Sequence, residues 1–211
     1  MKTDFIKSAR SLCRLFGGTF KAFVAIAALA FTGAAWGDIE YKEIDGIRWY
    51  YEPYGDGRCK IYFSDAEAAV YPKPSGEVTV PSTLNGLTVA QIGSHAFYKC
   101  TDITKITIPA TVYSIGDSAF EDCSKLDTVN IQGATMQTIS AYAFKNCSSL
   151  RMVTLPDSIT AIGQDAFEKC TSLSAMSLPK GLKAVDAALF WNCTSLLKVT
   201  VPEGVTSKFM V

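Results

Sequence analysis

The 211-residue sequence has one histidine, His95, so the side chain that most readily shuttles protons at neutral pH is all but missing. It also lacks an excess of either charge. Twenty basic residues offset 20 acidic ones, which removes the electrostatic footing for nucleic acid or an anionic membrane surface as a partner. No phosphate-cradling loop, Gly-x-Ser-x-Gly elbow, His-Glu-x-x-His helix or dinucleotide fingerprint occurs. The main apolar run, from Ala22, extends for about 10–15 residues, short of the ~20 that span a bilayer. These gaps leave no catalytic set, no cofactor site and no metal centre to build on, and the chain reads as non-enzymatic.

What is present is a period. Phe97, Phe120, Phe144, Phe167 and Phe190 lie 23, 24, 23 and 23 residues apart, and each is followed three positions later by Cys100, Cys123, Cys147, Cys170 or Cys193. A fixed period in the twenties is the pattern of a solenoid, in which each unit buries its apolar side only against its neighbours. Every copy also carries a short apolar run: Ile103/Ile106/Ile108, Leu126/Val129/Ile131, Leu150/Val153/Leu155, Leu173/Met176/Leu178 and Leu196/Val199/Val201. Its last two apolar positions alternate with polar ones, as a strand with one buried face requires. Such strands are too short to stand alone and would stack in parallel, about 4.8 Å apart. Pro81, Pro109, Pro156, Pro179 and Pro202 then end the ladder, because proline has no N–H to give it. A second apolar pair follows (Val112/Ile115, Ile159/Ile162, Leu182/Val185), then Gly93, Gly116 or Gly163, where a left-handed or tight turn is expected. Ser140 and Asp186 hold that place in the other two copies. The Ala-Phe step points inward, so the five phenylalanines and five cysteines are the expected core columns.

The unit Ile-Pro-x-x-Val-x-x-Ile-Gly-x-x-Ala-Phe-x-x-Cys-x-x-Leu resembles the leucine-rich repeats of the BspA-like, or Treponema-type, class. The resemblance covers residues 80–201. It implies a right-handed, β-rich solenoid with a parallel sheet on its concave face, and a secreted or cell-surface binding protein. The class has no shared catalytic residue to carry over.

Three segments are expected: residues 1–37, 38–79 and 80–211. The first has Lys2, Lys7, Arg10, Arg14 and Lys21 ahead of an apolar run and small residues, the layout of a signal peptide cut after Gly37 or Ala35. An uncleaved anchor is the competing reading. In either case the membrane is met only through this segment. The second is crowded with Tyr41, Trp49, Tyr50, Tyr51, Tyr54, Tyr62, Phe63 and Tyr71, and a hairpin is expected about Pro53-Tyr-Gly-Asp-Gly. An N-terminal β cap over the open end of the solenoid is favoured over an aromatic ligand platform. In the third segment, Asn85-Gly86 predicts a small side hairpin. About five full copies are followed by a partial sixth, which marks either a ragged end or a piece of a longer protein.

The cysteine column is a line rather than a convergent cluster, so it does not fit the roughly four ligands of a zinc site. Buried free thiols are favoured over disulfides, although export would favour the latter. His95 takes a repeat position otherwise held by Ser118, Tyr142, Asp165 and Ala188, which reads as exposed surface. Asp117, Glu121, Asp122, Asp165, Glu168 and Lys169 read as a solvated rim. The sequons at Asn146 and Asn192 sit beside the buried cysteine phase and are discounted. The candidate binding face consists of the outward strand positions: Lys105, Thr107, Thr128, Asn130, Met152, Thr154, Ala175, Ser177, Lys198 and Thr200. It is small, hydroxylic and mildly basic, with room for a protein or glycan partner to lie along it; a role in adhesion is what the family resemblance implies. The plainer alternative is that Ser and Thr simply suit a solvated sheet. A structural spacer within a larger envelope or surface protein is the alternative function.

Overall fold

A computed structural model describes residues 39–63, 67–186 and 188–207, all within the unit Asp38–Val211; residues 1–37, with the expected signal peptide, lie outside the described residues. The described chain opens with the strands β1 (Glu40–Ile44), β2 (Ile47–Pro53) and β3 (Arg58–Ile61), which run antiparallel in turn, and the short β4 (Val70–Tyr71) pairs with β2. The hairpin expected about Pro53-Tyr-Gly-Asp-Gly is the β2–β3 pair, with Pro53 opposite Cys59. β5 (Gly76–Thr79) starts the repeats, and β6 (Thr83–Leu84) turns into β7 (Leu87–Ile92) through Asn85 at φ 48° and Gly86 at φ 84°. Positive φ at both central residues suits a tight hairpin, as the Asn-Gly pair indicates.

Each later coil contributes one longer and one shorter strand: β8 (Ile103–Ile108) and β9 (Ser114–Ile115), β10 (Thr128–Ile131) and β11 (Thr138–Ile139), β12 (Met152–Thr154) and β13 (Ala161–Ile162), β14 (Ala175–Ser177) and β15 (Ala184–Val185), β16 (Lys198–Thr200) and β17 (Thr206–Ser207). The longer strands stack in parallel in the order β12-β10-β8-β5, with β14 and β16 as a separate parallel pair. The shorter ones form a second line of parallel pairs, β7-β9-β11-β13, which β3 joins in parallel, so the β cap and the repeats share one sheet. Sequence patterning reveals the first sheet and not the second, because a two-residue strand is too short to display an alternation of period two. There is no helix among the described residues.

The core is a set of columns running through the coils. Phe97, Phe120, Phe144 and Phe167 are fully buried, and neighbouring rings stack at 4.9, 5.2 and 5.4 Å between centroids. Each such ring contributes about 1.5–3 kcal/mol of transfer free energy. Phe190 departs from the expected column: it packs on Phe167 at 5.9 Å but is only partly buried, because it lies in the last described coil. Val201 departs further, with 38% of its surface exposed, for the same reason. At the other end Trp49 sets its edge against Phe97 at 6.0 Å, so the cap supplies the ring that a preceding coil would supply.

The glycine expectation holds for the tight turn, since the Gly93 and Gly116 carbonyls accept from the Ala96 and Ala119 N–H at 3.3 Å, and is corrected for the left-handed conformation. Gly93, Gly116 and Gly163 do not have positive φ; they are places of close approach. A Cβ on Gly163 would lie 2.4 Å from the Ala141 nitrogen, and one on Gly116 2.6 Å from the Ser94 nitrogen. The left-handed turns fall instead on non-glycine residues two positions either side of the phenylalanine, such as His95 (φ 58°) and Lys99 (φ 56°). Their strain is offset by bonds to the next coil, His95 N–H to Asp117 O at 3.0 Å and Lys99 N–H to Glu121 O at 2.9 Å.

Candidate functional site

The ten outward strand residues are brought together in two rows by the parallel register. Lys105, Thr128 and Met152 align in one row, and Thr107, Asn130 and Thr154 in the other. The separate pair β14 and β16 repeats the arrangement, with Ala175 opposite Lys198 and Ser177 opposite Thr200. The rows face out because Ile106, Val129 and Met176, which alternate with them, are buried. Exposure increases along the rows: Lys105, Thr107 and Thr128 are half-buried, whereas Asn130 and all six residues of the last three strands are exposed. Met152, at 61%, is a large apolar side chain standing in solvent among hydroxyls.

The charges beside the rows are paired from coil to coil. Lys105 Nζ reaches Glu77 at 3.1 Å and Lys125 Nζ reaches Asp102 at 2.7 Å, while Arg151 donates to Asp127. The Arg151 guanidinium, aided by the Thr128 hydroxyl, holds the Asp127 carboxyl below its ordinary range. The face therefore offers hydroxyl, amide and thioether groups more than free charge.

The cysteine column is chemically quiet. Cys59, Cys100, Cys123, Cys147, Cys170 and Cys193 are free and buried. Four thiols donate to the phenylalanine carbonyl of the preceding coil: Cys123 to Phe97, Cys147 to Phe120, Cys170 to Phe144 and Cys193 to Phe167, at 3.0–3.2 Å. Burial pushes the thiols up, Cys100 to about 12 and Cys193 to about 11, away from the thiolate that reacts.

Two surface expectations are corrected. His95 is half-buried, edge-on to Tyr98 at 5.2 Å, and its Nδ1 is enclosed without a hydrogen-bond partner. Its place in a left-handed turn beneath the next coil is what buries it. Asp165 and Glu168 are not a solvated rim either, at 9% and 8% exposed. Burial opposes the charge on Glu168, but Lys145 at 2.8 Å and Lys169 at 3.2 Å outweigh it and hold the carboxyl below its ordinary value.

A concavity absent from the sequence reading runs across the connections between the two sheets. It is a shallow groove open to solvent, of about 730 Å³, and is lined by Thr88, Thr111, Tyr113, Thr135, Gln137 and Ser158, among others. The hydroxyl residues recur nine positions before Phe97, Phe120, Phe144 and Phe167, so a scan of every repeat phase for polar conservation between copies would have found them.

Among proteins of known sequence and structure the pattern is shared. The profile of the BspA type leucine rich repeat region matches residues 90–208 in six copies. No curated protein matches the chain. Among solved structures, the chain is similar to a leucine rich repeat protein of T. pallidum, at 24% identity and TM-score 0.59, over 83% of this chain and 86% of that one. It is also similar to a leucine rich cell surface protein of Faecalibacterium prausnitzii, at 26% identity and TM-score 0.66, over 83% of this chain and 45% of that one. A third likeness, at 22% identity and TM-score 0.58, is to the pneumococcal vaccine antigen PcpA, over 78% of this chain and 50% of that one.

Proposed function

Because the chain belongs to the BspA-type leucine-rich-repeat family, we propose that it is an exported, non-catalytic recognition protein whose outward strand face binds a protein or glycan at a cell surface. One observation carries this reading: outward side chains lie in two rows across β8, β10 and β12 and again across the separate pair β14 and β16, and the six on the last three strands are all exposed. Side chains at a spacing of about 4.8 Å between strands offer a partner a regular, extended set of contacts without reorganisation on binding. Met152 supplies an apolar anchor among them. The chemistry of the remaining polar groups supports the absence of catalysis, since the thiols are protonated and buried and the lone histidine is wedged between coils. Export rests on the basic and apolar layout of residues 1–37 and on the printed description of one relative as a cell surface protein.

Substituting Thr154 and Ser177 with Glu tests the reading. Both are exposed strand positions, so binding to a surface partner should be lost while the far-ultraviolet circular dichroism stays unchanged. Equal loss on substituting Glu121 would move the site off the strand face. A second reading, a structural spacer in a larger surface protein, is favoured by the fact that the chain spans about half the length of two relatives. That reading expects no loss from either pair of changes.

A further inference from the structure

The concavity between the two sheets shares no residue with the strand face, and its lining follows the repeat. Thr88, Thr111, Thr135 and Ser158 stand at one phase in four successive coils, and Ala90, Tyr113, Gln137 and Thr160 stand two residues on. In the fifth coil the hydroxyl position becomes Gly181, so the row of hydroxyls stops there; at the other end it meets Arg58 of the cap, whose strand pairs with Thr88.

Three of the six lining hydroxyls have committed their proton. Thr135 donates to Ala110 O and to Val112 O, Ser158 donates to Met136 O at 2.7 Å, and Thr160 donates to Gln137 O at 3.3 Å. Tyr113 Oη accepts from the Gln91 amide, which in turn accepts from Tyr54 at 2.5 Å. A hydroxyl has one proton and two lone pairs, so Thr135, Ser158 and Thr160 face the groove as acceptors, while the Tyr113 hydroxyl and the Gln137 amide carry protons to donate. The Thr111 hydroxyl oxygen is enclosed and has no partner at all, a polar group whose desolvation is uncompensated. Arg58 is the one charged residue in the lining, and its guanidinium is already held by Asp56 at 2.5 and 2.9 Å.

We propose that this groove is a second binding site, for an extended, uncharged oligosaccharide. The ligand must offer both donors and acceptors, as sugar hydroxyls do, and it is neutral because the single cation of the lining is paired. Its period must match rungs about 4.8 Å apart, roughly the advance of one pyranose ring along an extended chain. A peptide strand advances about 3.3 Å per residue and falls out of step. It also finds no open edge there, because Tyr113 N–H bonds Ala90 O, Gln137 N–H bonds Tyr113 O and Thr160 N–H bonds Gln137 O. Four rungs span three intervals of about 4.8 Å, room for about three sugar rings, and Tyr113 offers them an aromatic ring to pack on.

The test is isothermal titration calorimetry of the full-length protein against cellotetraose, mannotetraose and chitotetraose, all extended β-1,4-linked chains, with a heparin tetrasaccharide as the charged comparison. At least one neutral probe is expected to bind. Ala134→Trp fills the groove from an exposed position and Gln137→Ala removes an amide; each should weaken that binding about tenfold or more. Thr154→Glu with Ser177→Glu should leave it unchanged, which separates this site from the strand face whatever that face binds. Unchanged melting of Ala134→Trp establishes that the loss is local. Absence of binding by every neutral probe overturns the proposal. So does binding that survives Ala134→Trp, or a preference for the heparin fragment that Arg58→Ala abolishes.

Discussion

Phe144 stacks on Phe120 with centroids 5.2 Å apart and ring planes 3° from parallel, and Cys147 of the same coil donates its thiol to the Phe120 carbonyl at 3.2 Å. Ring, thiol and backbone therefore tie each coil to the one before it through a single residue. In an array stabilised by nearest-neighbour interfaces, a defect at such a point weakens the interfaces on both sides. Phe144→Ala is expected to cost about 3–5 kcal/mol in urea denaturation. Phe190→Ala, at a partly buried position with one stacked neighbour, should cost clearly less. Equal losses would mean that the column does not run as described.

The thiol ladder gives a pH dependence of definite sign. The ordinary thiol value is 9.0, and burial raises Cys59 and Cys193 to about 11 and Cys100 to about 12, with Cys123, Cys147 and Cys170 also raised. The folded chain therefore binds protons more tightly than the unfolded chain. The resulting stability is fully present below pH 9.0 and is lost as pH rises from there toward 11 and 12. Urea midpoints should be level with respect to these groups from pH 7 to 8 and fall steeply above pH 9.0, and Cys147→Ala should flatten that fall. In native buffer iodoacetamide should modify the ladder only after denaturation.

Buried and exposed ion pairs should separate cleanly. Glu168 is 8% exposed and bonds Lys145 at 2.8 Å and Lys169 at 3.2 Å, so Lys145→Met removes the nearer of its two cations and should cost about 1 kcal/mol or more. Lys125, whose side chain is 64% exposed, pairs with Asp102 across the same kind of coil interface. Lys125→Met should leave the urea midpoint within error, since exposed pairs contribute little.

Gly163→Ala tests the close-approach assignment. Its Cβ would meet the Ala141 nitrogen at 2.4 Å, so a cost of about 1–3 kcal/mol is expected from crowding against backbone. A neutral or stabilising effect would show that the coils can part at that point.

The repeat, its core columns and the longer strands were legible because Phe, Cys and the alternating Val or Ile recur at a fixed phase, and burial forces that recurrence. The Asn85-Gly86 hairpin was legible for a different reason, its demand for positive φ. The second sheet was not, since Ser114–Ile115 and its equivalents carry two residues of pattern each. Nor was the burial of Asp165, Glu168 and His95, which depends on how the next coil covers a turn rather than on the residue itself. The outward rows were readable as positions. The groove was not, because the polarity of Thr135, Ser158 and Thr160 within it depends on hydroxyl protons bonded to carbonyls 22–25 residues away.

The most direct measurement is surface plasmon resonance of the protein over purified extracellular-matrix proteins and a glycan array, read for the ligands whose binding survives Ala134→Trp in the groove, comparing wild type with Thr154→Glu/Ser177→Glu and with Glu121→Gln. Binding by wild type and by Glu121→Gln, lost in the double strand-face variant with its circular dichroism intact, is the result expected of a recognition surface on the parallel strands. Wild-type binding that the double variant retains in full, or no binding to any member of either panel, would contradict it.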